Sequence, residues 1–450
     1  MRDLSTIVKA YDVRGTVPDQ LDAATCRALG AAFALFAGAP RIVLARDMRE
    51  SGVELSRAFS DGVRAVGVDV VDAGLGSTDL LYYAAGTLDV PGAMFTASHN
   101  PARYNGIKLC LAGARPIGQD TGLDEVRATA ERLLAEGLPA ADRTGGIVEQ
   151  DLLADYAAHL LRLVPGLQDV RPMKVVVDCG NGMGGLTVPV VLGGLPLEVV
   201  EMYFALDGSF PNHEANPLDP ANTADLSARV VAEGADLGLA FDGDADRCFV
   251  LDERGEVVSP SALTALIAER ELARVPGSTV IHNLITSRAV PEVVVQAGGT
   301  PVRTRVGHSF IKAEMARTGA VFGGEHSGHF YFREFWNADS GMLAALHALA
   351  ALGTSDGPLS AVVARYDRYA QSGEVNSTVT DAAGRVAAVR ERYASRPQDD
   401  LDGLTVDLGD GTWFNVRASN TEPLLRLNVE APDRGAVARV RDEVLALLRS

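Results

Sequence analysis

Three aspartates alternate in the run Asp242-Gly-Asp-Ala-Asp-Arg247, directly after an apolar stretch. In extended backbone alternate side chains share a face, so the three carboxylates converge. Convergent carboxylates repel one another unless a cation lies among them. Oxygen-only donors select magnesium, manganese or calcium over zinc. The same residues match the first, third and fifth positions of an EF-hand, and Glu253 falls at the twelfth. The sixth position, however, is Arg247, where that loop needs Gly, and Cys248 to Leu251 reads as an apolar strand. An EF-hand is therefore excluded; a solvated acidic turn is the plainer alternative.

Three further loops could do complementary chemistry. In Thr96-Ala-Ser-His-Asn-Pro101 the Asn-Pro step marks a turn, so Ser98 lies on a loop just past a strand. A serine there can accept a phosphoryl group, gaining about −1.5 to −2 charge, although an isolated loop serine is ordinarily inert. Gly323-Gly-Glu-His-Ser-Gly-His329 holds Glu325 and Ser327 between glycines, as hydrogen-bonding groups suited to sugar hydroxyls. His326 and His329 could suggest a metal, but no third ligand stands nearby in sequence. In Arg417-Ala-Ser-Asn-Thr-Glu-Pro423, with Arg426 beyond, an arginine fork and the donors Ser419, Asn420 and Thr421 suit a phosphate monoester. A capped turn would use the same residue types. Smaller signals are Lys9, Tyr11 and Arg14 in one segment, Lys108, and His308.

The charge balance sets a demand on these loops. With 41 basic and 59 acidic residues the net charge is 41 − 59 = −18. No global basic footprint for nucleic acid exists. An anionic substrate would be repelled at long range, so local arginines, lysines and a metal must reverse the field inside a cleft. The four cysteines (Cys26, Cys110, Cys179 and Cys248) form no zinc-like spacing and sit beside apolar residues. Buried free thiols in a reducing compartment are expected. The first residues show no long apolar core, and no uncharged apolar run approaches the ~18 residues of a membrane span. A cytoplasmic protein without a membrane partner is expected.

The elements that must position these loops form a repeated plan. β-branched strand signals at 41–47, 174–182 and 278–287 are each followed by a helical stretch and a second strand at 68–74, 197–204 and 300–307. A third strand follows each time, at 92–101, 235–247 and 320–329, and runs into one of the polar loops. Ligands of open α/β sheets bind at such strand ends. The last stretch differs: strands near 403, 412 and 424 precede a helix from about 434 to 448, a smaller α+β unit. The expected fold is α/β: three similar doubly wound domains and a C-terminal α+β domain around a central cleft. The expected boundaries are 1–146 with the serine loop, 147–254 with the aspartate loop, 255–369 with the Glu325 loop and 370–450 with the arginine loop. Composition loosens at each, including Gln371-Ser-Gly373.

Taken together and in this order, the four motifs resemble those of the α-D-phosphohexomutase family along essentially the whole chain. The resemblance is nearest to the branch acting on mannose and glucose phosphates. It implies an isomerase that interconverts mannose 6-phosphate and mannose 1-phosphate, and glucose phosphates too, through a phosphoserine and a hexose 1,6-bisphosphate that also serves as activator. It implies that Ser98 is the phosphate carrier and a ligand of Mg2+, together with Asp242, Asp244 and Asp246. It implies Lys108 and His308 for proton transfer, and Arg14 and Arg247 as basic residues of the active site. Glu325 and Ser327 would hold the sugar, with Tyr11 and His329 near it; Arg417, Ser419, Asn420, Thr421 and Arg426 would grip the distal phosphate. A monomer or weak dimer is expected. His326 stands where dual-specificity relatives carry Met and glucosamine mutases carry Gln, and some relatives carry a lysine where this chain reads His282 to Ser287. The alternatives are a phosphoglucosamine mutase of cell-wall precursor synthesis, a phosphatase, or a non-catalytic metal-dependent sugar-phosphate binding protein.

Overall fold

The computed structural model describes residues 2–418 and 424–450. The chain packs as two compact units, Met1–Val258 with Ser327–Val362, and Ser259–His326 with Val363–Ser450.

The first unit holds two sheets. In one, strands Arg41–Arg46, Asp69–Leu75 and Gly92–Phe95 are parallel, with Arg41–Arg46 in the middle. The hydrophobic run of Arg41–Arg46 is buried along its length, as expected of a parallel strand covered on both faces. Tyr104–Leu111 adds antiparallel to Gly92–Phe95, and Val13–Thr16 adds to Tyr104–Leu111. Ile147–Glu149, which begins one residue past the boundary expected at 146, closes the other edge against Asp69–Leu75. Helices Ala23–Ala37 and Ser51–Ala65 cover this sheet. The first is stopped at both ends: Asp22 accepts from the Thr25 amide, and Gly38 takes a left-handed cap at φ 60°. Phe33, Phe59 and Phe95 meet in the core they enclose.

The second sheet has parallel strands Leu197–Met202, Met173–Asp178 and Leu237–Phe241, with Cys248–Leu251 antiparallel at the edge. A hairpin, Phe330–Phe332 with Ala338–Asp339, leads into helix Gly341–Gly353. That helix is apolar nearly all round and buried, the pattern of a central core helix.

The second unit contains parallel strands Thr300–Thr304, Thr279–Asn283 and Phe322–Gly324. It also contains an antiparallel sheet in the order Ala370–Thr378, Leu424–Ala431, Thr412–Ala418, Leu404–Gly409, Gln398–Asp399. Helices Ala382–Arg392 and Arg434–Leu448 share a core with this sheet. Gln371 to Gly373, where composition loosens, lies near the start of strand Ala370–Thr378. The strand carries a register irregularity between Gln371 and Glu374, where Gly373 takes φ 65°. All four cysteines are free and buried.

Candidate functional site

The serine and aspartate loops each leave the C-terminal end of a strand, Gly92–Phe95 and Leu237–Phe241 respectively. They meet closely. A Cβ at Gly243 would lie 2.5 Å from the Ser98 carbonyl oxygen, so only glycine permits the approach. Ser98 itself holds a left-handed backbone, φ 49°, unusual for a residue with a side chain. Its Oγ donates to Asp242 Oδ2 at 2.8 Å and accepts from Arg247 Nη2 at 3.0 Å.

The serine loop is held from below by Arg49, which is only 1% exposed. Its guanidinium donates to the carbonyls of Ser98, Asn100, Pro101 and Tyr104 at 2.6–3.0 Å, while Nε meets Asp47 at 3.2 Å. One planar cation thus supplies donors to four carbonyls in and just after a tight loop. Burial pushes the Asp47 carboxyl up to about 6, against the pull of Arg49. His99, next to Ser98, is pushed down to about 2 by burial and by Arg247 and Arg14. It is therefore neutral, and its Nδ1 accepts from Arg247.

The three aspartates are buried, with an oxygen from each within 4.8 Å of the others. Lys108 Nζ donates to Asp244 Oδ2 at 2.7 Å and to Asp246 Oδ2 at 2.5 Å. Arg247 Nε donates to Asp242 Oδ2 at 3.0 Å. Burial drives the Asp242 carboxyl up, with Asp246 and Asp244 adding to the effect. For Asp244 and Asp246 burial acts the same way and is the largest single influence, but Lys108, joined by the Thr78 hydroxyl at Asp244 and by His329 and Arg247 at Asp246, holds both low. Two oxygens, Asp244 Oδ1 and Asp246 Oδ1, are buried and accept no hydrogen bond among the described residues. Three carboxylates facing two cations, with two orphaned oxygens, form a donor set that fits a hard divalent cation. Glu253, the EF-hand position, instead binds Ser360 through its amide and hydroxyl.

Arg14 donates to Asn100 Oδ1 at 2.6 Å and pairs with Asp12. Tyr11 is half-buried in the same segment. His329 lies opposite Arg247 in a single bridge, with Nδ1 3.0 Å from Ser327 Oγ and Nε2 3.7 Å from Asp246 Oδ1. The first unit thus gathers Ser98, the aspartates, Lys108, Arg247 and Arg14 together with Ser327 and His329.

The second unit holds the rest. Glu325 directly follows strand Phe322–Gly324, is 3% exposed, and accepts from Asn283 Nδ2 at 3.3 Å. Asn283 is in turn held by Thr286 at 2.8 Å. His326 is lowered by burial, with Glu374 and Arg417 acting in opposite senses. His308 opens helix His308–Thr318. Arg417 and Arg426 stand directly opposite each other on neighbouring strands. Glu374 lies between them, 2.7 Å from Arg417 Nη2 and 3.5 Å from Arg426 Nε. Ser419, Asn420 and Thr421 lie outside the described residues.

Several residues of this arrangement carry no sequence signature. Thr78 donates to Asp244 Oδ2 at 2.6 Å across 166 residues of chain. Asp339 brings a carboxylate within 4.8 Å of Asp246 and His329. Arg49 and Asn283 belong here too. Only the run Arg46-Asp47-Met48-Arg49 at a strand end offered a clue.

Comparison with known proteins places the whole chain. Models of the phosphoglucomutase/phosphomannomutase family match in order: alpha/beta/alpha domain I at residues 5–135, domain II at 154–255, domain III at 259–369 and the C-terminal domain at 374–447. A phosphomannomutase of Escherichia coli is 38% identical, covering 98% of this chain and 98% of that protein. A phosphomannomutase/phosphoglucomutase of Pseudomonas aeruginosa is 37% identical, covering 97% and 94%. The crystal structure of a phosphoglucomutase/phosphomannomutase family protein from Burkholderia thailandensis superimposes with a TM-score of 0.88 at 32% identity, covering 99% of this chain and 97% of that one. No helix among the described residues is long and apolar enough to cross a membrane. With four domain models matched along its length and relatives above 30% identity end to end, the chain belongs to the phosphoglucomutase/phosphomannomutase family and is a phosphohexomutase, an isomerase of the α/β class.

Proposed function

We propose that this phosphohexomutase interconverts mannose 6-phosphate and mannose 1-phosphate, accepts the glucose phosphates as well, and carries its phosphoryl group on Ser98. The observation that carries the proposal is the 2.8 Å contact between Ser98 Oγ and a carboxylate of the buried aspartate cluster. Mg2+ is the cation proposed for Asp242, Asp244 and Asp246; when bound it neutralises charge on the phosphoryl group in transfer. Arg247, already 3.0 Å from Ser98 Oγ, stabilises the same oxygens. The serine gives its phosphoryl group to the free hydroxyl of a hexose monophosphate. The resulting hexose 1,6-bisphosphate reorients and returns its other phosphoryl group to Ser98. Added bisphosphate therefore serves as activator. Lys108 and His308 are the proposed proton-transfer residues, and Arg14 binds phosphate.

A substrate that binds in two orientations must be gripped by what both share. Glu325 and Ser327 are assigned to O3 and O4, with Tyr11 and His329 beside them. Arg417, Ser419, Asn420, Thr421 and Arg426 are assigned to the distal phosphate. Mannose and glucose differ only at C2, so these contacts cannot separate them. The mannose preference rests on the relatives named phosphomannomutase. The organisation in four domains, a cytoplasmic location and a monomer or weak dimer complete the proposal.

The test is a coupled assay on mannose, glucose and glucosamine 1-phosphates with bisphosphate present, paired with intact-mass measurement of the resting protein. Turnover of mannose and glucose phosphates and one added phosphoryl group on Ser98 are expected. Best turnover of glucosamine 1-phosphate would overturn the substrate assignment.

A further inference from the structure

Asp79 is a carboxylate that the proposed chemistry does not use, yet it is completely buried. Three hydroxyls point at it, one from the cap of its own helix and two from distant parts of the chain. Ser77 Oγ donates to Oδ1, while Tyr156 OH and Ser340 Oγ donate to Oδ2 at 2.7 and 2.6 Å. A carboxylate held by three donors is fully satisfied and rigid.

Two of these hydroxyls are helix caps. Ser77 Oγ accepts from the Leu80 amide at the start of helix Thr78–Leu88. Ser340 Oγ accepts from the Leu343 amide at the start of helix Gly341–Gly353. By donating to Asp79, each hydroxyl turns its lone pairs toward the orphan amides it caps. One negative charge therefore ties together two helix N-termini, the ends that favour an anion.

Both of those N-termini touch the aspartate loop. Thr78, the first residue of its helix, donates through Oγ1 to Asp244 Oδ2 at 2.6 Å and through its amide to the Asp244 carbonyl at 3.0 Å. Gly341, the first residue of the other, lies so close that an added Cβ would sit 2.7 Å from the Arg247 carbonyl and 2.9 Å from that of Ala245. The loop is thus seated on two helix ends, and a single side chain sets their spacing.

We infer that Asp79 is a positioning residue for the cation loop: by locking the N-termini of Thr78–Leu88 and Gly341–Gly353 it fixes where Asp244 and Asp246 present their oxygens. The inference rests on the proposal that these aspartates hold a divalent cation.

The experiment measures Mn2+ binding by electron paramagnetic resonance, using the full chain and working well below each variant's unfolding temperature. The wild type is titrated first; if it binds no Mn2+, the cation reading fails and this inference with it. Asp79→Asn keeps the shape but removes the charge and turns one acceptor into a donor. It is expected to weaken Mn2+ binding about tenfold, the lower end of what outer partners of a metal site contribute. kcat should fall with it, and KM for the sugar phosphate should stay within about twofold. Thr78→Val should act in the same direction. The double variant should lose less than the product of the two single effects, because Asp79 acts partly through Thr78. If Asp79→Asn does not fold, Ser340→Ala decides; it removes one donor and is expected to weaken Mn2+ about threefold. A folded Asp79→Asn, or in its place Ser340→Ala, that binds Mn2+ as tightly as wild type overturns the inference, whatever the change in unfolding temperature.

Discussion

The serine and aspartate loops of the first unit and the arginine pair of the second are built to opposite rules. Ser98, Asp242, Asp244, Asp246 and Arg247 are each at most 3% exposed. Their partners come from remote elements: Arg49 under the serine loop, Thr78 and Gly341 under the aspartate loop. Arg417 and Arg426 instead sit on adjacent antiparallel strands and share one partly exposed partner, Glu374. Groups that transfer a phosphoryl unit must hold their geometry to a fraction of an ångström, whereas groups that catch and release a substrate must be able to exchange partners. Variants in the first set should therefore damage kcat and stability, and those in the second should act on KM.

The largest effect is expected at Ser98. Ser98→Ala deletes the proposed carrier, and turnover should drop by about a thousandfold or more. The far-ultraviolet circular dichroism should stay unchanged, since the loop's carbonyls remain held by Arg49. A variant with near-normal turnover would remove the carrier role and with it one side of the comparison.

Next comes Arg49→Met, which leaves the serine loop intact in sequence but takes away its support. Asp47 then loses its cation in a fully buried position, and several loop carbonyls lose their donor. Breaking a buried pair of this kind costs about 3–5 kcal/mol. Chemical denaturation should show that loss, and kcat should fall further than KM rises. Wild-type stability would mean that the loop holds itself.

Arg417→Gln should behave differently. It removes a cation from the proposed phosphate grip, so KM for hexose 1-phosphate should rise about tenfold or more, while stability changes by under about 1 kcal/mol. Arg417→Lys should recover part of the KM, since a lysine keeps the charge without the planar fork. A fall in kcat alone would place Arg417 with the fixed set.

What could be read from sequence follows the same division. The aspartates, Ser98, Glu325 and Arg417 announce themselves because each motif is short, and its residue types constrain one another over a few positions. The central parallel strands Arg41–Arg46, Met173–Asp178 and Thr279–Asn283 are legible for a similar reason: buried along nearly all their length, they become continuous apolar runs rich in β-branched residues. The residues that hold the motifs in place carry no such trace. Ser77-Thr78-Asp79 reads as a helix start, and nothing local says that Thr78 meets Asp244 or that Asp79 meets Ser340. Asn283 lies in a stretch noted for departing from relatives, but its hold on Glu325 is a contact between neighbouring strands' ends. The strand Ala370–Thr378 was hidden because its polar, glycine-containing irregularity looks like a linker.

The smallest and most discriminating effect is expected at Glu374. Two arginines directly opposite each other in a ladder repel, and Glu374 offsets that repulsion. In the proposed complex the substrate's distal phosphate would meet the same two guanidinium groups, so Glu374 and phosphate compete for them. Glu374→Gln removes the competing charge and keeps the length of the side chain. Since the pair is partly exposed, its net contribution to stability is under about 1 kcal/mol. The variant should therefore lose little stability and bind hexose 1-phosphate more tightly, with KM falling about two- to fivefold and kcat nearly constant. High salt should shrink the difference, because screening weakens both the repulsion and the competition. A rise in KM would carry the opposite lesson: Glu374 would then be holding the arginines in their working geometry, and the second region would be preorganised by its own ion pair, as the first is by Arg49.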